Sequence, residues 1–218
     1  MFIIEKEPKS IAAESYRTLR TNIQYSSFDK EYRTILVTSS EPGEGKSTTV
    51  GNLALSLAHG DKKVLVIDCD LRKPSIHKKF KISNAVGLSD VIVGKKDLNS
   101  VLNKYNKNLF ILTSGKIPPN PSEMLSSKTM TLLLEKLKET YDYIILDTPP
   151  VQAVTDAQVL SAKSDGTIIV VKAGKTKKDS VNSSLGLLKK VNANIIGTVL
   201  NSVDNSRNKY YYYYGEDK

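Results

Sequence analysis

The stretch "YRTILVTSSEPGEGKSTTVGNLALSLAHG", residues 32–60, decides the fold. Its opening, 32–39, is a run of β-branched and apolar residues that reads as a strand. Its close, 47–60, has helical spacing and ends on a glycine. Between them lies "TSSEPGEGKST" (38–48). Gly43 and Gly45 allow a tight turn in which several main-chain N–H groups face one anion. The helix that follows points its positive end at the same spot. Lys46 is placed to neutralise the β- and γ-phosphates of a nucleotide, and the Ser47 hydroxyl to ligate Mg2+. Gly43, Glu44, Gly45, Lys46, Ser47 and Thr48 form the expected nucleotide contacts, with Thr48 at the α-phosphate. The general pattern is G-x-x-x-x-G-K-[ST], and Ser40 stands where its first glycine belongs.

Working outward, strands and helices alternate. Further strands are expected at 63–70, 108–115, 142–150, 165–174 and 193–203. Helices are expected at 126–141, 156–164 and 177–191, with short ones in "GLSDVIVG" and "DLNSVLNKY". A helix over 14–28 precedes the first strand. The strand runs are continuously apolar, as strands covered on both faces are. The expected fold is α/β: a single domain with a mostly parallel sheet flanked by helices, P-loop NTPase-like. Residues 1–204 should form that domain and 205–218 a flexible, tyrosine-rich tail, "NSRNKYYYYYGEDK".

Two strand ends carry three carboxylates. "VLVIDCDLRKP" supplies Asp68 and Asp70, and "YIILDTPP" supplies Asp147. Ligands of open parallel sheets bind beyond the carboxyl ends of the strands, and a nucleotide–magnesium complex needs acidic groups there. Cys69, between two of these aspartates, should point into the sheet's packing by strand alternation. His59 and His77 have no partner at metal spacing. Asn201, near the end of the last strand, is a candidate for contact with adenine.

With 218 residues, 39% hydrophobic and 25% charged, the chain can bury one full α/β core. A lone cysteine excludes an intramolecular disulfide and suits a reducing cytosol. No apolar run approaches the roughly 20 residues that span a bilayer, and "MFIIEKEPKS" is too short and too quickly charged for a signal peptide. A cytoplasmic protein is expected, linked to a membrane only through a partner. The net charge of +9 favours anionic partners, or is a lysine-rich solvated surface. No aromatic residues interleave with the lysines as a base-stacking platform requires, so no specific nucleic acid is expected.

Together the loop 38–48, "VLVIDCDLRKP", "YDYIILDTPP", "GKIPPNPSEML" (115–125) and the tyrosine-rich end resemble the bacterial tyrosine kinases (BY-kinases) of capsule and exopolysaccharide synthesis. The resemblance covers almost the whole chain. It makes the first three segments Walker A, Walker A′ and Walker B. It implies ATP and Mg2+ as cofactors, with Lys46, Asp68, Asp70 and Asp147 as catalytic residues and Ser47, Asp70 and Asp147 around the metal. The short length resembles the split form, in which a separate transmembrane activator, a polysaccharide copolymerase, switches the kinase on through its cytoplasmic tail. Glu14, Arg17 and Arg20 fit the E-x-x-R-x-x-R motif whose flank meets a neighbouring subunit in a ring-shaped homo-oligomer. A tyrosine phosphatase is the implied counterpart.

Tyr210, Tyr211, Tyr212, Tyr213 and Tyr214 are then the expected phosphoacceptors, modified in trans by an adjacent subunit. A phenol has a pKa of about 10, so something must take or share its proton. Asp68 is the candidate base or orienting group; the sequence leaves a swap with Asp70 open. Accumulated phosphate charge should loosen the ring. Other readings compete. The tyrosines could form an edge strand or an aromatic anchor. A ParA/MinD-like partitioning ATPase would share the fold, although such proteins usually open the phosphate loop with a second lysine, near where this chain has Glu41. A nucleotide-gated scaffold without chemistry is the third class.

Overall fold

The computed structural model describes residues 2–26 and 31–204. Tyr210–Tyr214 and the tail boundary at 205 lie outside the described residues. In chain order the elements are α1 (Ile3–Lys6), α2 (Ile11–Tyr25), β1 (Thr34–Ser39), α3 (Lys46–His59), β2 (Val64–Asp68), α4 (Ile76–Phe80), α5 (Leu88–Ile92), α6 (Leu98–Val101), β3 (Asn103–Lys104), β4 (Leu109–Leu112), α7 (Pro121–Ser126), α8 (Lys128–Lys138), β5 (Tyr143–Asp147), α9 (Asp156–Ser161), β6 (Gly166–Lys172), α10 (Lys178–Lys190) and β7 (Ile195–Asn201). The strands form one sheet in the order β3-β4-β2-β5-β1-β6-β7. Every pairing is parallel except β3 with β4.

The continuous apolar runs have the expected cause. Each residue of β1 and β2 is buried, and alternate side chains enter different cores. Ile35, Val37, Val64, Val66 and Ile145 pack with residues of α1–α4 on one face. Leu36, Leu65, Ile67, Ile144 and Leu146 pack with residues of α5–α9 on the other. Each fully buried Leu or Ile contributes on the order of 1.5–3 kcal/mol. Cys69 is fully buried in this second core, as alternation predicts.

Several elements depart from the sequence-based expectation. The N-terminal helix begins at Ile11, not residue 14, because the Ser10 side chain caps it by accepting from the Ala13 amide at 3.2 Å. The helix expected over 126–141 is α8, shorter at both ends; the Ser127 side chain caps it, and the separate α7 precedes it. In "DLNSVLNKY" only Leu98–Val101 is helical, and Asn103–Lys104 pair with β4. Helices α1 and α4, of four and five residues, are too short to carry a readable period. Among the described residues, no helix is long and apolar enough to cross a membrane.

Register sets the site. Val37 and Asp68 are both register partners of Asp147, because β5 lies between β1 and β2. The loop after β1 and the carboxylates ending β2 and β5 therefore share the carboxyl end of the parallel strands.

Candidate active site

The phosphate loop takes the backbone its glycines imply: φ is 80° at Gly43 and 96° at Gly45. Gly45 has a second reason to lack a side chain, since a Cβ there would lie 2.0 Å from Asn201 Nδ2. That amide donates to the Glu44 carbonyl at 2.9 Å, so the end of β7 braces the loop. Glu44 is buried; its carboxylate accepts from the Glu41 amide at 2.9 Å and from the Thr176 hydroxyl. Ser40 is also buried and accepts from Ser184 Oγ of α10 at 2.9 Å. The serine at the first-glycine position thus has a polar partner, which accounts for the departure from the general pattern.

Lys46 and Ser47 open α3. Ser47 Oγ donates to Asp147 Oδ2 at 2.6 Å and accepts from Ser75 Oγ at 2.6 Å. Asp147 Oδ1 is buried without a hydrogen-bond partner. Burial pushes the Asp147 carboxyl up to about 7; the Ser47 bond and the Lys46 charge oppose that, Asp70 adds to it, and Lys79 opposes it again. Asp68 is fully enclosed. Its Oδ1 accepts from the Asp70 amide at 3.2 Å, and its Oδ2 from the Ser75 and Ile76 amides at 3.0 Å each. Burial first, and then the Asp147 charge, hold its pKa well above the usual carboxylate range. Asp70 is half-buried, and its Oδ1 accepts from the Lys73 amide at 3.0 Å. The Cys69 thiol is pushed well up by burial, so it is inert packing.

Among the described residues, no group of three or more His, Cys, Asp or Glu side chains could hold a metal ion by itself. Magnesium binds through one or two carboxylates, retained waters and substrate phosphates. The unpartnered Asp147 Oδ1 beside the Ser47 hydroxyl, with Asp70 nearby, fits that mode.

The structure thus gathers Gly43, Glu44, Gly45, Lys46, Ser47, Thr48, Asp68, Asp70, Asp147 and Asn201 about one loop–helix junction. Glu14, Arg17 and Arg20 lie apart on α2. Glu14 pairs with Arg17 at 2.7 Å, and Arg17 also donates to the Pro8 carbonyl. Arg20 turns onto its own chain, donating to the Ser56 carbonyl at 2.8 Å.

Three contacts are not legible in the sequence. Ser75, held by Asp68, bears on Ser47. Lys79 Nζ donates to Thr48 Oγ1 at 3.1 Å. Arg72 forms a two-pronged ion pair with the fully buried Asp156 at 2.9 and 3.1 Å and also donates to Ser122 at 3.0 Å. Its clamp ties the segment after Asp70 to α7 and α9. Each depends on residues distant in sequence, and no local spacing announces them.

A parallel sheet with a glycine-turned phosphate loop after β1 and acidic groups at the neighbouring strand ends defines a P-loop NTPase-like domain. A family model described as an AAA domain matches residues 32–201. The chain is 45% identical over 210 residues to the tyrosine-protein kinase YwqD of Bacillus subtilis, covering 96% of this chain and 89% of that one. It is 38% identical over 216 residues to the putative tyrosine-protein kinase CapB of Staphylococcus aureus, covering 98% of this chain and 95% of that one. The solved kinase domain of Escherichia coli tyrosine kinase ETK superposes with a TM-score of 0.91 at 36% identity, covering 99% of this chain and 85% of that one. The chain belongs to the bacterial tyrosine-protein kinase family, and its enzymatic class is protein-tyrosine kinase. The septum site-determining protein MinD of Pyrococcus horikoshii, at 24% identity and a TM-score of 0.68, shares the fold alone.

Proposed function

We propose that the chain is an autokinase that transfers the γ-phosphoryl group of Mg-ATP to the tyrosines 210–214 of a neighbouring copy. The observation that carries this reading is the Ser47–Asp147 bond at 2.6 Å, with the second Asp147 oxygen buried and unpartnered. It joins the first turn of α3 to a strand-end carboxylate and leaves one strong acceptor free where a nucleotide's cation belongs.

In this reading the main-chain amides of 43–48 and the Lys46 ammonium hold the β- and γ-phosphates. Ser47, Asp70 and Asp147 would hold Mg2+, which would supply neutralisation of the phosphate charge. Asn201 secures the loop's back and is the residue proposed to contact adenine. The phenol's proton must be taken or shared. The raised proton affinity of Asp68 suits that task, while its enclosure and three main-chain amides suit an orienting group. These bonds best support the orienting share: Asp68 holds the segment 70–76 in place, and the half-buried Asp70 is the alternative base. Most of the rate then comes from positioning and electrostatics.

The proposal extends to biology in the form the family suggests. A transmembrane activator recruits the kinase to the inner face of the membrane and switches it on. Phosphorylation of the tyrosines weakens a ring-shaped oligomer whose contact includes Glu14, Arg17 and Arg20. A phosphatase resets the cycle, and polysaccharide chain length is the output. The test is mass spectrometry of the expressed chain with Mg-ATP, with and without the cytoplasmic tail of its candidate activator. Phosphate should map to 210–214 and vanish in Lys46→Met and in a chain lacking those tyrosines. Phosphate release without phosphotyrosine would instead favour a partitioning-type ATPase.

A further inference from the structure

We propose that Lys79 is a second phosphate-binding cation of the nucleotide site, acting at the α-phosphate, where Lys46 does not. The inference deepens the ATP-binding reading above and rests on it. Lys79 Nζ sits 3.1 Å from Thr48 Oγ1, in the first turn of α3. That turn is the end of the site where the α-phosphate belongs. An ammonium group carries three donors, and the Thr48 contact uses one.

The placement of Lys79 is built by the fold. The Asp68 carboxylate accepts the Ser75 and Ile76 amides and so fixes the start of α4. Ile76 and Phe80 anchor α4 in the core it shares with α3. The Lys79 amide donates to the Ser75 carbonyl at 3.2 Å, which keeps its residue in helical register. Its side chain remains exposed, so an approaching anion meets it without displacing packed groups. Asp68 thereby has a concrete task besides any proton chemistry: it aims both Ser75 and Lys79 at the head of α3.

The consequence separates Lys79 from Lys46. An α-phosphate is common to ADP and ATP and changes little when the γ-phosphoryl group leaves. A cation there strengthens ground-state and transition-state binding alike. Its loss should raise KM far more than it lowers kcat.

The experiment measures dissociation constants of ADP and a non-hydrolysable ATP analogue for the full chain and for Lys79→Met, Lys79→Arg, Lys79→Glu and Lys46→Met. A charge-assisted hydrogen bond at a partly exposed site predicts roughly a ten-fold loss in Lys79→Met, equal for both nucleotides. Lys79→Arg should retain most of the affinity, and Lys79→Glu should lose more than Lys79→Met. That ordering by charge separates the effect from misfolding. Lys46→Met should instead weaken the triphosphate analogue more than ADP. Affinities in Lys79→Met within two-fold of the unchanged chain would overturn the proposal, as would a loss confined to the triphosphate. If the unchanged chain binds neither nucleotide, the ATP-site reading falls and this inference falls with it.

Discussion

Replacing Asp147 with asparagine should make the unliganded protein more stable at pH 8 while abolishing phosphotransfer. The carboxyl is pushed from its ordinary 3.8 up to about 7, chiefly by burial. The sign follows from linkage. A carboxyl with a raised folded-state pKa binds its proton more tightly when folded, so its favourable state is fully present below pH 3.8. That contribution is lost progressively as pH rises through 7 and then levels off. The ionised group at pH 8 costs about 4 kcal/mol relative to an ordinary exposed carboxylate. At pH 5 the cost is roughly half of that, so the variant's advantage should grow by about 2–3 kcal/mol between pH 5 and 8. The new amide places an N–H group where Oδ1 had no partner, at about 1–3 kcal/mol, so the net gain at pH 8 is about 1–3 kcal/mol. Asp68 adds in the same direction, because the Asp147 charge is one of the things raising its pKa. Urea denaturation of both proteins at four pH values, without nucleotide or magnesium, reads the difference directly. A difference that stays flat from pH 5 to 8, or that falls as pH rises, would refute the reasoning. It would mean that Asp147 is not the burdened acid the site geometry makes it.

Two further perturbations test the supports of the site. Gly45→Ala should reduce stability by about 1–2 kcal/mol and depress nucleotide binding, because it forces a side chain into a left-handed conformation and onto Asn201 Nδ2; thermal melting and binding titrations report both, and an unchanged melting temperature would count against the brace. Arg72→Met should cost about 2 kcal/mol by taking the cation from the buried Asp156, which keeps the Ser122 hydroxyl, and the double variant with Asp156→Asn should recover much of that loss; a double-mutant cycle with no coupling would remove the clamp from the account.

Much of this site is legible along the chain, and the reasons are local. The strand runs at β1, β2 and β5 are recognisable because burial on both faces requires unbroken apolar residues. The loop is recognisable because two glycines, a lysine and a hydroxyl within six residues meet a helix start. Asp68, Asp70 and Asp147 stand out as charges closing apolar runs. By contrast, the sequence leaves open whether Asp68 is a base or an orienting group, and the structure shows it enclosed by the amides of the segment that follows it. Arg20 reads as one of three equal members of a surface triplet, yet it is committed to Ser56. Ser75 and Lys79 lie in a stretch with no period or motif to mark them, and Arg72, although inside the Walker A′ segment, gives no sign there that its partner is Asp156.

The sequence by itself determined the alternation of elements, the phosphate loop and the set of acids at the strand ends, because each is encoded within a few consecutive residues. Tertiary structure alone decided which groups meet: Ser47 with Asp147 across 100 residues, Arg72 with Asp156 across 84, and Asn201 with Glu44 across 157. Those contacts follow from β5 inserting between β1 and β2 and from β7 closing the sheet's far edge. Strand order and register are properties of the packed whole, set by which apolar faces bury best together, and no spacing within one segment records them.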